Sequence, residues 1–293
     1  MYGGSHQCGR HHLGQRVRTP HRGRGSWLRR ARGGVFVLAL GAASLNAGCG
    51  GGRGEQQKAE DARMHYKLAY GHYFNENGSN GEAALQEVLT SIELNPLDAD
   101  ARMLAGIIFM GRELYVDAIA QFSKAIELKP DFYSAMNNLG ATYLALERWD
   151  DAIGIFDKLV GNLRYTTPGH GHNNLGWAWL KKGDLAKARR HFTAAIQLSP
   201  NLCPPYNNLG MTLLEGGQLD KARKYLERGI KKCPVYAEPH YHLGRVFARQ
   251  QRHDEARVHF ETCVSLSQES LLGERCQRHL LAHAPQGTPE IRR

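Results

Sequence analysis

Acidic residues are missing from the first 48 positions, which carry eight arginines (Arg10, Arg16, Arg18, Arg22, Arg24, Arg29, Arg30 and Arg32) and neither Asp nor Glu. Taking those eight from the formal net charge of +10 leaves only +2 for everything from Cys49 onward. The body therefore lacks the clustered Lys/Arg face that phosphate-backbone binding needs, and a nucleic-acid partner is not expected. No apolar run reaches the ~20 residues a helix needs to cross a bilayer, which excludes a polytopic membrane protein. No P-loop, dinucleotide fingerprint or nucleophile elbow occurs, and no CxxC pair or Cys/His set at zinc spacing, so no cofactor and no metal is expected. Two histidine pairs, His170/His172 and His240/His242, are two residues apart rather than at metal-binding i, i+4 spacing, and read as surface or groove polarity.

What the first 48 residues do contain is an address. Arg29, Arg30 and Arg32 precede an apolar stretch, GGVFVLALGAASL at 33–45, and then Asn46-Ala47-Gly48-Cys49. A basic region, an apolar segment of ~7 to 15 residues and small residues before a cleavage point make a secretory signal. The Ala47-Gly48-Cys49 end resembles a bacterial lipoprotein box, with Asn46 where Leu is usual and Leu45 one place further out. That resemblance implies a signal peptide over 1–48 and acylation of Cys49. Gly50, in place of the Asp that retains such proteins in the inner membrane, implies the outer membrane and its periplasmic face. The glycine-rich and polar stretch that follows, 49–61, is expected to be a flexible tether.

Self-similarity dominates the remainder. Small residues recur at Gly106, Gly140, Gly176, Gly210 and Gly244, spaced by 34, 36, 34 and 34. Twelve places after each comes Ala118, Ala152, Ala188, Ala222 or Ala256, and four beyond that a bulky Phe122, Phe156, Phe192, Leu226 or Phe260. Pro96, Pro130, Pro200 and Pro234 end units, and LRYTTP at 163–168 supplies the two extra residues of the third interval. These series, with Asn-Leu-Gly before an aromatic in GHGHNNLGWAW, resemble the tetratricopeptide-repeat pattern. The fold class implied is all-α: a right-handed superhelical solenoid of about six helical hairpins over 62–268, a capping helix within 269–285 and a disordered tail at 286–293. In each hairpin the glycine lets the alanine of the second helix come close while the bulky residue fills the gap beside them. The paired Asp150 and Asp151 fall where a second helix begins and serve its N-terminus rather than acid/base chemistry. With the array occupying nearly all the chain after the signal, an enzyme is not expected.

The repeat also places four cysteines. Cys203 starts a first helix and Cys233 follows the end of its partner; Cys263 and Cys276 flank a turn near 268–270. Two local disulfides, Cys203 with Cys233 and Cys263 with Cys276, are geometrically sensible in an oxidising compartment. Cys263 stands at a usual small-residue position, and simple burial is the alternative there.

In such arrays the first helices line the concave face. The residues three and two before the central glycines are Asn137 and Asn138, Asn173 and Asn174, Asn207 and Asn208. Amides carry donor and acceptor, so a ladder of them suits the backbone of a bound segment; a purely fold-stabilising role is the alternative. Ala141, Trp177 and Met211, then Leu144, Leu180 and Leu214, supply an apolar floor.

Across 135–200, NNLGATYLALERWDDAIGIF and GNLRYTTPGHGHNNLGWAWLKKGDLAKARRHF are similar to the pilotin lipoproteins of type IV pilus systems, the Tgl, PilF and PilW type. The resemblance implies an outer-membrane lipoprotein that binds secretin subunits and promotes their assembly; a monomer is expected. A periplasmic adaptor for outer-membrane protein insertion or peptidoglycan synthesis would use the same architecture.

Overall fold

Polar or proline-containing turns cut the chain into helices that, after the first, are only 12 to 14 residues long. Helices that short are marginal alone, so pairing is obligatory. The computed structural model describes residues 51–74 and 80–282. It contains α1 (Gly51–Phe74), α2 (Gly81–Leu94), α3 (Ala99–Gly111), α4 (Tyr115–Leu128), α5 (Tyr133–Ala145), α6 (Trp149–Val160), α7 (Pro168–Lys181), α8 (Leu185–Leu198), α9 (Pro204–Glu215), α10 (Leu219–Lys232), α11 (Glu238–Arg249), α12 (His253–Leu266) and α13 (Leu271–Ala282). The described residues contain no strand. Each odd helix up to α11 pairs with the next to make six hairpins, each second helix packs on the first helix of the following unit, and α13 packs on α12. First helices also touch first helices of neighbouring units, as α9 touches α11, so they form the inner row. The result is the all-α solenoid of tetratricopeptide type with its terminal helix. The segment 1–48 read as a signal peptide, Cys49, residues 75–79 and the expected tail 286–293 lie outside the described residues.

Helix starts follow elementary chemistry. Asp98 accepts from the amides of Asp100 and Ala101 at 2.9 and 3.0 Å, Asp184 from Lys187 at 2.9 Å, and Asn80 from Ala83 at 3.1 Å. α7, α9 and α11 instead carry proline in the first turn, where its missing N–H is harmless. From the α3–α4 hairpin onward the turn inside each hairpin carries one left-handed residue, and Glu113, Glu147, Gly183, Gly217 and Gln251 fill it at φ between 59 and 92°.

One expectation is corrected at the start. α1 begins at Gly51, so the stretch read as a flexible tether is helical. The Glu55 to Glu60 run is polar but made of good helix formers, and it continues into Ala62 and Ala69, both buried. Helix propensity plus a packed continuation outweighs the linker-like composition.

The hairpin contact also differs in detail from the sequence reading. The space above each central glycine is taken by the bulky residue itself. A Cβ built on Gly140 would lie 2.5 Å from Phe156 Cζ, and one on Gly106, Gly176, Gly210 or Gly244 would meet Phe122, Phe192, Leu226 or Phe260 just as closely. Those five bulky side chains are fully buried. The inserted segment at 163–168 is packed too: Tyr165 is 9% exposed, its ring 5.7 Å from that of Tyr133, and it leaves no room for a side chain at Gly171.

The two cysteine pairs are brought together. Cα atoms lie 6.2 Å apart for Cys203 and Cys233 and 6.0 Å apart for Cys263 and Cys276, and both pairs are bonded. The first staples the ends of α9 and α10; the second joins α12 to α13. Cys263 and Cys276 are both fully buried, so burial and pairing coexist at that position.

Two glycines in one hairpin give opposite predictions. Gly140→Ala gains up to about 1 kcal/mol of helix propensity but must displace the Phe156 ring, an overpacking cost of about 1 to 3 kcal/mol. A lower urea midpoint is expected. Gly154→Ala on α6 meets nothing within 4 Å, keeps the propensity gain and raises the midpoint. A neutral Gly140→Ala would refute the close contact.

Candidate partner-binding groove

The inner row of first helices presents the predicted stripe, but the amides in it are largely used on one another. Asn207 Nδ2 donates to Asn208 Oδ1 at 3.3 Å, Asn208 Nδ2 to Asn173 Oδ1 at 3.0 Å, Asn173 Nδ2 to Asn174 Oδ1 at 3.3 Å and Asn174 Nδ2 to Asn137 Oδ1 at 2.8 Å. The ladder thus ties α5, α7 and α9 together. Asn207 and Asn208 are only 5% and 8% exposed, so the open amide surface expected of them is absent. Asn137, Asn138, Asn173 and Asn174 remain half-buried on the row. Trp177 and Met211 are half-buried as well, with Lys181 Nζ 4.8 Å from the Trp177 ring centre. Leu144 and Leu180 are partly covered, whereas Leu214 is wholly inside the core.

The ladder stops at α9. Its two links between units use the amide two before a glycine as donor to the amide three before the previous glycine. In the next unit the donor position is His242, and Asn207 Oδ1 is buried with no hydrogen-bond partner. His242 is 7% exposed, and its Nδ1 lies 3.4 Å from an Arg245 guanidinium nitrogen. Burial first, and Arg245 second, push the His242 pKa down to about 3. An uncharged imidazole costs less inside the array than an imidazolium would.

Histidine placement was only partly legible. His170 is exposed as expected, but His240 and His242 are buried, which corrects their reading as surface or groove polarity. The sequence reading also missed His191 and His259. His172 Nδ1 lies 3.1 Å from His191 Nδ1, and His240 Nδ1 lies 3.1 Å from His259 Nδ1. The signal was in the register: each pair joins the residue four before a central glycine to the residue before the bulky partner. Arg102/Gln121, Met136/Ile155 and Tyr206/Tyr225 occupy those places in other units. Ring centres are 5.4 and 5.3 Å apart. A ring centre sits roughly 1.1 Å from its own nitrogen, so the two nitrogens lie on the line between the rings. That is the arrangement of an N–H···N hydrogen bond, which is straight, and not of two ligands converging on an ion off that line. No group of three His, Cys, Asp or Glu among the described residues could hold a metal. Burial lowers His172, His191 and His240, and it pushes His259 down to about 4 with help from His240.

Asp150 and Asp151 stand in the first turn of α6, where Asp151 pairs with Arg148 at 2.7 Å and Asp150 with Lys182 of the next unit. Both are structural charges.

Lowered histidine pKa values make the array acid-sensitive. The unfolded chain, with histidines near 6.5, binds more protons than the folded one between that value and about 3 to 4. Stability is therefore complete above about pH 6.5 and is lost as pH falls through that window. For His242 alone the loss between pH 6.5 and 5 is about 2 kcal/mol. His242→Asn places an amide where the ladder lacks one and removes that titration. The melting temperature is expected to rise at pH 7 and to fall less between pH 7 and 5 than in the parent chain. An unchanged pH slope would show that His242 is not buried uncharged.

Comparison with known proteins places this geometry. One tetratricopeptide-repeat profile matches residues 169–202, and a second matches 66–131, 110–165 and 207–262, so the profiles span more than half of the chain. Among solved structures, PilF of Pseudomonas aeruginosa is similar with a TM-score of 0.62 and 19% identity, over 76% of this chain and 99% of that one. PilW, described as a widely conserved type IV pilus biogenesis factor, gives a TM-score of 0.65 and 19% identity over 74% and 98%. TTC0263 of Thermus thermophilus, a thermophilic protein of the same repeat type, gives 0.54 and 21% over 63% and 100%. At such identities the likeness is one of fold. No curated protein matches the sequence.

Proposed function

The chain belongs to the tetratricopeptide-repeat family, and from that premise we propose that it is an outer-membrane lipoprotein scaffold that binds secretin subunits and promotes their assembly for type IV pilus biogenesis. The observation that carries this reading is a conjunction in one chain. A lipoprotein-type Cys49 directly precedes an array that covers nearly the whole length of PilF and PilW. The long linker at 163–168, which folds Tyr165 against Gly171, adds to the resemblance.

In this mechanism the acyl chains on Cys49 hold the array at the inner leaflet, each buried CH₂ contributing ~0.8 kcal/mol. Confinement raises the effective concentration of any subunit the inner row grips. The grip comes from the half-buried apolar residues Trp177, Met211, Leu144 and Leu180, while the amide ladder fixes the row they project from. No step is chemical, and the protein is read as a monomeric non-enzyme.

Three measurements test the proposal. Cys49→Ala is expected to move the protein from the membrane fraction to the soluble periplasmic fraction, and a deletion strain to lose most of its secretin multimers. Undiminished multimers would remove the assignment. Trp177→Ala combined with Met211→Ala is expected to weaken secretin capture about tenfold or more. Val116→Ala, at an exposed position on the second helix α4, leaves it unchanged. Equal capture by both variants would move the binding face off the inner row.

A further inference from the structure

The inner stripe changes character along its length. Three residues before the central glycines it reads Met103, Asn137, Asn173, Asn207 and Tyr241; one residue after them it reads Ile107, Ala141, Trp177, Met211 and Arg245. A further step of 34 residues reaches Arg275 and His279 on α13. The terminal helix is thus half a repeat that prolongs the inner row: Cys276 is buried where Asn208 and His242 are buried in earlier units. Arg278 falls at the glycine position, which is free to carry a long side chain because no second helix follows among the described residues.

Tyr241, Arg275, Arg278, His279 and Ala282 line a recess of about 400 Å³ between α11 and α13. Part of its wall is fixed. Tyr241 Oη is 3.3 Å from His279 Nε2, the His279 ring stacks on Phe260 with centres 5.1 Å apart, and the Cys263–Cys276 bond ties α13 to α12. The two guanidiniums are exposed, and no carboxylate among the described residues forms an ion pair with either. Arginines nearby on α11 are engaged: Arg245 with Glu215 and Arg249 with the Leu214 carbonyl, each at 2.8 Å.

Resting on the reading of the inner row as a protein-binding groove, we infer that this groove is directional. Its α13 end receives acidic side chains of the bound segment through Arg275 and Arg278, while the segment's apolar residues lie toward α3 and α5. Charge complementarity selects an anionic occupant, because a guanidinium makes its strongest contacts with carboxylates and phosphates. Spaced three apart on one face of α13, the two arginines can each take a carboxylate, which a single chain terminus cannot supply. A recess with a tyrosine wall opening onto a groove fits a peptide rather than a lipid surface.

Fluorescence anisotropy on the purified chain tests this, with a labelled, C-terminally amidated peptide carrying a Leu/Ala stretch followed by a run of glutamates. Its controls are a glutamine twin and that twin with a free C-terminal carboxylate. At low ionic strength the glutamate peptide is expected to bind about fivefold tighter than its amidated twin, the difference shrinking with salt. The difference is expected to vanish in Arg275→Gln/Arg278→Gln, whose melting temperature stays that of the parent. The inference is overturned if neither peptide binds, both bind equally, the preference survives the double substitution, or only the free terminus is preferred. Phosphatidylglycerol vesicles that sediment with the parent but not the double variant, without a glutamate preference, overturn it in favour of lipid. A glutamate preference alongside undiminished secretin multimers in the deletion strain keeps the directional groove and removes the pilus assignment. No preference alongside Trp177-dependent secretin capture does the reverse.

Discussion

The seating of a buried ring or leucine directly on a glycine, once in each hairpin after the first, is the contact on which the rest of the array depends. With no side chain at Gly140 or Gly244, the first helix lets the second approach until Phe156 or Phe260 covers its backbone. The same geometry repeats in five successive hairpins, so the crossing of each helix pair is fixed and adjacent units stack in one register. A single hairpin leaves an apolar face open; a stack of them closes it, unit against unit. The apolar core accordingly runs through neighbouring units, as where Phe192, Leu226 and Phe260 belong to one cluster.

Fixing that register has consequences on the inner side. Asn137, Asn174, Asn173, Asn208 and Asn207 come within hydrogen-bonding reach because the first helices of successive units are held side by side. Buried amides that satisfy one another cost little and lock neighbouring units in alignment. The same register brings His172 to His191 and His240 to His259, pairing imidazoles that are wholly or partly withdrawn from solvent. The polar residues of the interior are thus mostly occupied with one another, and the groove's open surface is set by the half-buried apolar residues among them.

The two ends of the array are handled differently. At the N-terminal end α1 runs for 24 residues, well beyond its partner α2. At the C-terminal end the amide ladder gives way to His242, and two disulfides enclosing 30 and 13 residues staple the last units. In the chain-entropy view each closure contributes about 3 kcal/mol, reinforcement placed where stacking neighbours run out. α13 covers the final hairpin and carries its own cationic face to the mouth of the inner row.

The sequence by itself determined the repeat, the six hairpins and the terminal helix, and it put each cysteine within reach of its partner. These are consequences of period and spacing, and a 34-residue period with glycine, alanine and ring in register admits few other packings. It also named the stripe that lines the inner row. Tertiary structure alone decided how that stripe is used, because whether an amide faces a ligand or a neighbouring amide depends on inter-unit distances that no local pattern encodes. For the same reason the burial of Asn207, Asn208, His240 and His242 was hidden. His172 and His191 are 19 residues apart in the chain and meet only across a closed hairpin. The helical start of α1 was obscured by composition, since polar, charged residues suit a linker and a solvated helix equally until packing at Ala62 and Ala69 chooses between them.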